Sequence, residues 1–212
     1  MKGEHHYIAY GFNSLWITTG DNKLDRVDPA TSEISASIPY ADGSADCQGF
    51  VFATTTAIWV DMCDRAELIK VDPATNSVVS KMPYATLIDQ AKAHTTVPAG
   101  KGTDFIWLSL AENQGESGIA GGLLRIDPNT GAGLTFLPLS SEQLGDNFNA
   151  VSDDAVWLGG LSQINRVNVT TNQIDATYTT DLVGSNHLAI GFGSVWLQNY
   201  EANLVQRLDV AP

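Results

Sequence analysis

Apolar and polar residues alternate in short runs along the whole chain, and the spacing is that of strands rather than helices. Tyr7–Tyr10 reads as a strand, Gly11-Phe12-Asn13 as a tight turn, Ser14–Thr18 as a second strand and Leu24–Val27 as part of a third. Asp28-Pro29-Ala30-Thr31 then reverses the chain, because proline pre-sets φ and an aspartate side chain bonds the backbone two residues on. Ile34, Ala36 and Ile38 alternate with polar neighbours up to Pro39, the period-two mark of a half-buried fourth strand. Helical spacing is suggested only at Thr86–Lys92, and there for a turn or two.

This pattern returns four more times. SLWIT, AIWVD, FIWLS, AVWLG and SVWLQ hold every tryptophan of the chain: Trp16, Trp59, Trp107, Trp157 and Trp196. Downstream of each stands a basic residue, an apolar one and then Asp or Asn: Arg26-Val27-Asp28, Lys70-Val71-Asp72, Arg125-Ile126-Asp127, Arg166-Val167-Asn168 and Arg207-Leu208-Asp209. A rare residue recurring at one position of a frame of about forty residues marks a tandem array. Four short strands per unit favour a propeller over a sandwich. The expected fold is therefore all-β, a β-propeller of four-stranded antiparallel blades in a single domain over 1–212. Its five units fall at about 1–40, 47–84, 96–138, 147–180 and 185–212. The fifth unit runs only through its third strand. The chain is then either a five-bladed ring or part of a larger, six- or seven-bladed one, and an open edge strand invites pairing with another copy.

Composition narrows the partners. The chain has 212 residues, 43% hydrophobic and 17% charged, with a net charge of −13. So acidic a chain lacks the basic footprint of a nucleic-acid binder and is disfavoured at anionic membranes. No apolar run approaches the roughly eighteen residues needed to span a bilayer, and MKGEHHYIAY has no apolar core of signal-peptide type.

The long departures from the repeat are Ala85–Pro98, Ala111–Gly122 and Ser140–Asn147. In four-stranded blades all three open on one face, and loops carry function on a rigid scaffold. That face is also acidic, with Asp42, Asp46, Asp61, Asp64, Glu67, Asp89, Glu112, Glu116, Asp146 and Glu201 assigned to it, a set that suits Mg or Ca as readily as plain solvation. At the inner mouth of the blades stand Gln48, Asn147 or Asn149, Asn186 and His187, a polar lining fit for a small molecule or ion. Asp46, Gln48, Asn147, Asn149 and Asn186 are the candidate ligand-binding residues. The basic member of each frame is expected to pair with the Asp two residues on, or to hold the turn that follows it. Cys47 and Cys63, the only cysteines, fall nearly opposite each other across a hairpin. A disulfide there would stabilise the fold by roughly 3 kcal/mol and place the protein outside the cytoplasm or among secreted proteins. Two reduced thiols in a cytoplasmic protein are the alternative.

GFGSVWLQ at 191–198 and LIKVDPATNSVVSKMPY at 68–84 resemble the repeats of YVTN-type and streptogramin (virginiamycin B) lyase-like propellers. The resemblance extends over nearly the whole chain. It implies a bacterial propeller and, for the lyases, a magnesium-dependent elimination that opens a cyclic ester with a histidine as general base. His187 and Glu201 stand where that family places its last-blade histidine and glutamate. Ser185 stands at its second acidic position, and Asn147 or Phe148 at another histidine.

Three readings follow. The first is a binding module that takes a small molecule, peptide or protein on the acidic long-loop face. The second is a metal-dependent lyase with His187 and Glu201 as catalytic residues. The third is a piece of a larger propeller that self-associates through its edges. For the cysteine pair, alkylation of freshly isolated, denatured protein without reductant is expected to leave the intact mass unchanged. Two added alkyl groups would remove the argument for an oxidising compartment.

Overall fold

A computed structural model describes residues 7–42, 49–62, 67–84, 95–99, 105–110, 121–144, 150–160, 162–180, 186–199 and 201–209. Contacts divide the chain into two units, Met1–Asp89 and Gln90–Pro212. The first holds two antiparallel four-stranded sheets. These are β1 (Ile8–Gly11), β2 (Ser14–Thr18), β3 (Lys23–Val27) and β4 (Ile34–Pro39), then β5 (Phe50–Ala53), β6 (Ile58–Met62), β7 (Glu67–Asp72) and β8 (Ser77–Pro83), each in sequential order.

The second unit holds three sheets. The first is β9 (Thr95–Ala99), β10 (Ile106–Leu110), β11 (Gly122–Ile126) and β12 (Gly133–Pro138). After a short helix, α1 (Ser141–Leu144), come β13 (Ala150–Val151), β14 (Ala155–Gly159), β15 (Gln163–Asn168) and β16 (Gln173–Thr179). The last sheet has three described strands, β17 (Asn186–Gly191), β18 (Ser194–Asn199) and β19 (Leu204–Asp209). The five sheets are propeller blades, as the repeat predicts, here numbered 1 to 5. Helix α1 is a departure from the expected loop. Ser140 and Gln143 cap it reciprocally, with Gln143 N–H donating to Ser140 Oγ at 3.3 Å and Ser140 N–H to Gln143 Oε1 at 3.0 Å. The stretch at Thr86–Lys92 lies outside the described residues.

The tryptophan and the basic residue of each frame are direct cross-strand partners between strands two and three. The pairs are Trp16–Arg26, Trp59–Lys70, Trp107–Arg125, Trp157–Arg166 and Trp196–Arg207. In every pair the cation lies over the indole, at 5.0, 5.3, 5.4, 5.8 and 5.8 Å from the ring. In four of the five pairs the indole edge is anchored as well, the buried Trp107 Nε1 being the exception. Trp16 and Trp196 Nε1 donate to the carbonyls of Gly11 and Gly191 at 3.0 and 3.1 Å, while Trp59 and Trp157 donate to the Thr54 and Ser152 hydroxyls at 3.3 Å.

The tryptophan face of one blade packs on the opposite face of the next. Trp16, Leu24 and Ile38 meet Val51, Ile58, Val60 and Met62 within the first unit. Within the second, Trp107 and Leu123 meet Val156, Leu158 and Val167, and Trp157 meets Leu188, Val195 and Leu197. Trp16, Trp59 and Trp107 are fully buried and Trp157 is 4% exposed. Truncating a buried tryptophan costs about 3–5 kcal/mol, against about 0.5–1 kcal/mol for an exposed cation–π contact. Burial of the indole therefore carries the energy, and the cation caps it. Blades approach closely at Gly11, where an added Cβ would sit 2.7 Å from the Ala53 Cβ.

The turn between strands three and four is built the same way in the four blades that show it. The side chain of its first residue accepts from the N–H two residues on: Asp28 from Ala30, Asp72 from Ala74, Asp127 from Asn129 and Asn168 from Thr170, at 2.7–2.9 Å. Its fifth residue sits in the left-handed region, at φ 63° for Ser32, 51° for Asn76, 72° for Gly131 and 56° for Asn172. Three of these four are Gly or Asn, the types that tolerate it best.

The basic residues do not hold their own turns as the sequence suggested. Arg26 Nη1 donates across the blade boundary to the Pro73 carbonyl at 2.8 Å and to Asn76 Oδ1 at 2.9 Å. Arg125 Nη1 does the same to the Val169 carbonyl at 3.2 Å and Asn172 Oδ1 at 3.0 Å. The aspartates two residues on already serve their own turns, and a bulge between Arg26 and Val27, repeated at Arg125 and Ile126, breaks the simple alternation. Among the described residues only Arg207 makes the expected pair, with Asp209 at 2.9 Å.

Asn76→Gly keeps the left-handed turn and removes one of the acceptors of Arg26, the Asn76 amide oxygen. Urea unfolding should show a loss of about 1–2 kcal/mol, in the range of a hydrogen bond to a charged group. Asn76→Ala should lose about 1 kcal/mol more, from the strained φ.

Candidate functional site

Blade 5 holds the described part of the predicted site. His187 is the second residue of β17 and faces Gln198 across the β17–β18 ladder, and Asn186 faces Asn199. The chain then turns through Glu201, with the Ala202 N–H donating to Asn199 Oδ1 at 2.7 Å and Asn203 in the left-handed region at φ 50°. His187 and Glu201 thus share one end of one sheet. Both are exposed, while Asn199 is buried. The β18–β19 end of the same sheet carries a depression of about 340 Å³ lined by Gln198, Asn199, Asn203, Leu204 and Val205, a lining that includes neither His187 nor Glu201. The protein around His187 partly desolvates its imidazole, so the pKa lies below the ordinary histidine value and the ring favours the neutral form.

The other ligand candidates, Asp46, Gln48, Asn147 and Asn149, lie outside the described residues, as do Cys47 and Cys63. The described hairpin leading to the cysteines pairs Phe50 with Asp61 and Val51 with Val60. Asp61 is not part of an acidic loop surface. It lies inside β6, fully buried, and accepts the Tyr84 hydroxyl at 2.9 Å. Among the described residues no three His, Cys, Asp or Glu side chains converge as metal ligands. Calcium takes about six to eight oxygen ligands. His187 and Glu201 alone do not supply such a set.

A second concavity was not foreseen. A cavity of about 670 Å³ lies between blades 4 and 5, lined by Asp154, Trp157, Arg166, Asp175, Tyr178 and Ser194 among others. Trp157 and Tyr178 form its aromatic wall, with ring centroids 5.9 Å apart. Arg166, the basic member of its frame, is ion-paired with both Asp154 and Asp175. The Ser152 hydroxyl and then Arg166 hold Asp154 below the ordinary carboxylate range, and Arg166 does the same for Asp175. Arg166 is raised in turn, chiefly by Asp175. The frame that marks Arg166 is visible in the sequence, but its change of partner is not.

No family model matches the chain, and neither does any curated protein. Among solved structures the chain is similar to hydrazine synthase of Kuenenia stuttgartiensis, with a TM-score of 0.61 over 98% of this chain and 69% of that one, at 10% identity. The fold is a β-propeller. At that identity the likeness concerns fold alone, and a propeller scaffold accommodates many unrelated functions.

Because folding lowers the proton affinity of His187, the unfolded chain binds the proton more tightly, and protonation opposes folding. Stability is therefore expected to fall as pH drops from the ordinary histidine value through the lowered one. The ring protons of His187, followed by NMR against a His187→Gln control, should titrate below the midpoint of an unfolded-peptide histidine. A midpoint at or above that value would contradict the partial desolvation.

Proposed function

We propose that this protein is a propeller-based binding module whose ligand, a small molecule, peptide or protein, engages the long-loop end of the blades. The observation that supports it is the grouping at one end of blade 5 of His187, Gln198, Glu201 and Asn203 on paired strands and one hydrogen-bonded turn, with Gln198 and Asn203 also lining the 340 Å³ depression. At the other end of the blades the described turns are short, and their polar groups serve one another and the arginines of neighbouring blades. Polar groups spent on holding blades together are not free for a ligand, so the opposite end is the better candidate. The acidic residues that the sequence assigns to the long loops, Asp46 among them, would favour cationic groups on the ligand. The cysteine pair, if bonded, would suit an extracytoplasmic setting.

A second reading uses the same two residues as an enzyme of streptogramin-lyase type, and the lowered pKa of His187 favours it. A histidine that is neutral near pH 7 is able to take a proton from carbon next to an ester carbonyl. Glu201 would then help hold a Mg ion, the cofactor that family resemblance implies.

The two readings separate on chelation. Peptide and glycan arrays, followed by calorimetry on hits, should give binding that falls at least fivefold in His187→Ala and Glu201→Gln and does not respond to EDTA. Cyclic-ester opening that disappears with EDTA and in His187→Ala would favour the enzyme instead.

A further inference from the structure

The repeat holds its fourth strand to a pattern, and blade 4 breaks that pattern twice at one place. Nine residues after the basic member of the frame, blades 1 to 3 carry Ser35, Val79 and Leu134, whereas blade 4 carries Asp175. Twelve residues after it stand Ile38, Met82 and Leu137, against Tyr178 in blade 4. These last four are structurally equivalent, since they pair with Leu24, Leu68, Leu123 and Ile164 on the strand beside them. Scaffold packing requires neither the carboxylate nor the phenol, because three other blades are built without them. Both line the 670 Å³ cavity between blades 4 and 5.

The polar groups of that cavity have capacity of one sign to spare. Both Nη groups of Arg166 already donate to carboxylates, one to Asp175 and one to Asp154. The Ser152 hydroxyl donates to Asp154 at 2.7 Å and accepts from Trp157 Nε1 at 3.3 Å, and Ser194 Oγ accepts from Arg207 Nε at 2.9 Å. One guanidinium against two carboxylates leaves the lining with net negative charge. Arg166 and Asn168 both bond Asp175 through Oδ2, and Oδ1 takes no bond from another described residue. Solvent reaches both carboxylates, whose side chains are 69% exposed for Asp154 and 34% for Asp175. An anion would have to displace two carboxylates from Arg166, whereas a cation joins them. The remaining wall is apolar, with Ile190 left 38% exposed beside the buried Val195. Small-molecule sites have volumes of about 300–1,000 Å³ and combine such a wall with a few placed polar groups.

We infer that this cavity binds a small organic cation, a primary amine on an aromatic or apolar body. The ammonium group donates to Asp175 Oδ1 and to Asp154, and the body covers Tyr178, Ile190 and Val195. A cation beside the Tyr178 ring gains a further attraction from its face. The site is separate from the long-loop end of blade 5 and does not depend on the function proposed there.

The probe is 2-phenylethylammonium chloride, titrated into the full 212-residue protein at neutral pH and low ionic strength and read by calorimetry. One saturable site is expected. 2-Phenylethanol, with the same body and no charge, and 3-phenylpropanoate, with the opposite charge, should each bind at least tenfold more weakly, as for loss of a hydrogen bond to a charged group. Nuclear Overhauser contacts from the probe's ring protons should reach the Tyr178 ring. These measurements use unaltered protein, so none depends on a variant folding. Asp175→Asn should weaken the ammonium probe about tenfold and leave 2-phenylethanol unchanged. Tyr178→Leu, which restores the aliphatic side chain of the other blades, should weaken both. Absence of saturable binding, equal binding of the charged and neutral probes, or tighter binding of 3-phenylpropanoate would overturn the proposal. So would Overhauser contacts confined to the His187 end of blade 5, because the cation would then occupy the other site.

Discussion

An indole buried between two sheets, with a cation lying over it from the neighbouring strand, is the contact on which this molecule depends. The tryptophan supplies most of the energy, since a buried aromatic of that size dominates any core it enters. The cation does what a hydrophobic residue in its place could not. From above Trp16, Arg26 still reaches Asn76, fifty residues away in sequence and in the next blade. One pair therefore closes a hydrophobic layer and ties together two blades that share no main-chain ladder. Arg125 repeats the arrangement above Trp107 with Asn172. A lysine, as at position 70, keeps the contact with its indole at 5.3 Å but lacks the planar fork that lets one group serve two acceptors.

This economy bears on where function is found. At the short-turn end the polar atoms are committed: aspartates to their own turns, asparagines to arginines, hydroxyls to indoles. Blade 5 departs from this pattern in two places. One end carries His187 and Glu201 on a hydrogen-bonded turn, and the boundary with blade 4 carries an arginine held by two carboxylates beside an aromatic wall. Of the groups in this cluster Asp154 is exposed, while Arg166 and Asp175 are part-buried, with side chains 19% and 34% exposed.

Much of this was legible in the one-dimensional pattern, and particular residues show why. Ser14–Thr18 and Ile34–Pro39 were read with the bounds they have in the structure, because period-two alternation and a DPAT turn are local signals. The placing of His187 and Glu201 at one end of blade 5 was also legible, since two strands joined by a short turn allow little choice of register. Asp61 was misread because a lone acidic residue after an apolar run looks like a strand end. The tyrosine at position 84, from beyond the next strand pair, donates to it and helps make its burial tolerable. The helix at Ser141–Leu144 escaped because four residues are too few to show a period of 3.6.

The sequence by itself determined the unit: its strands, its turns and the position of the indole. All of these arise from interactions between residues close in the chain, and the frame repeats them often enough to be unmistakable. Tertiary structure decided who clasps whom. Arg26, Arg125, Arg166 and Arg207 occupy equivalent places in the frame, yet two hold the next blade, one is caught between two aspartates and one holds its own strand end. The guanidinium takes whatever acceptor packing brings within reach, and that acceptor belongs to another blade or to none.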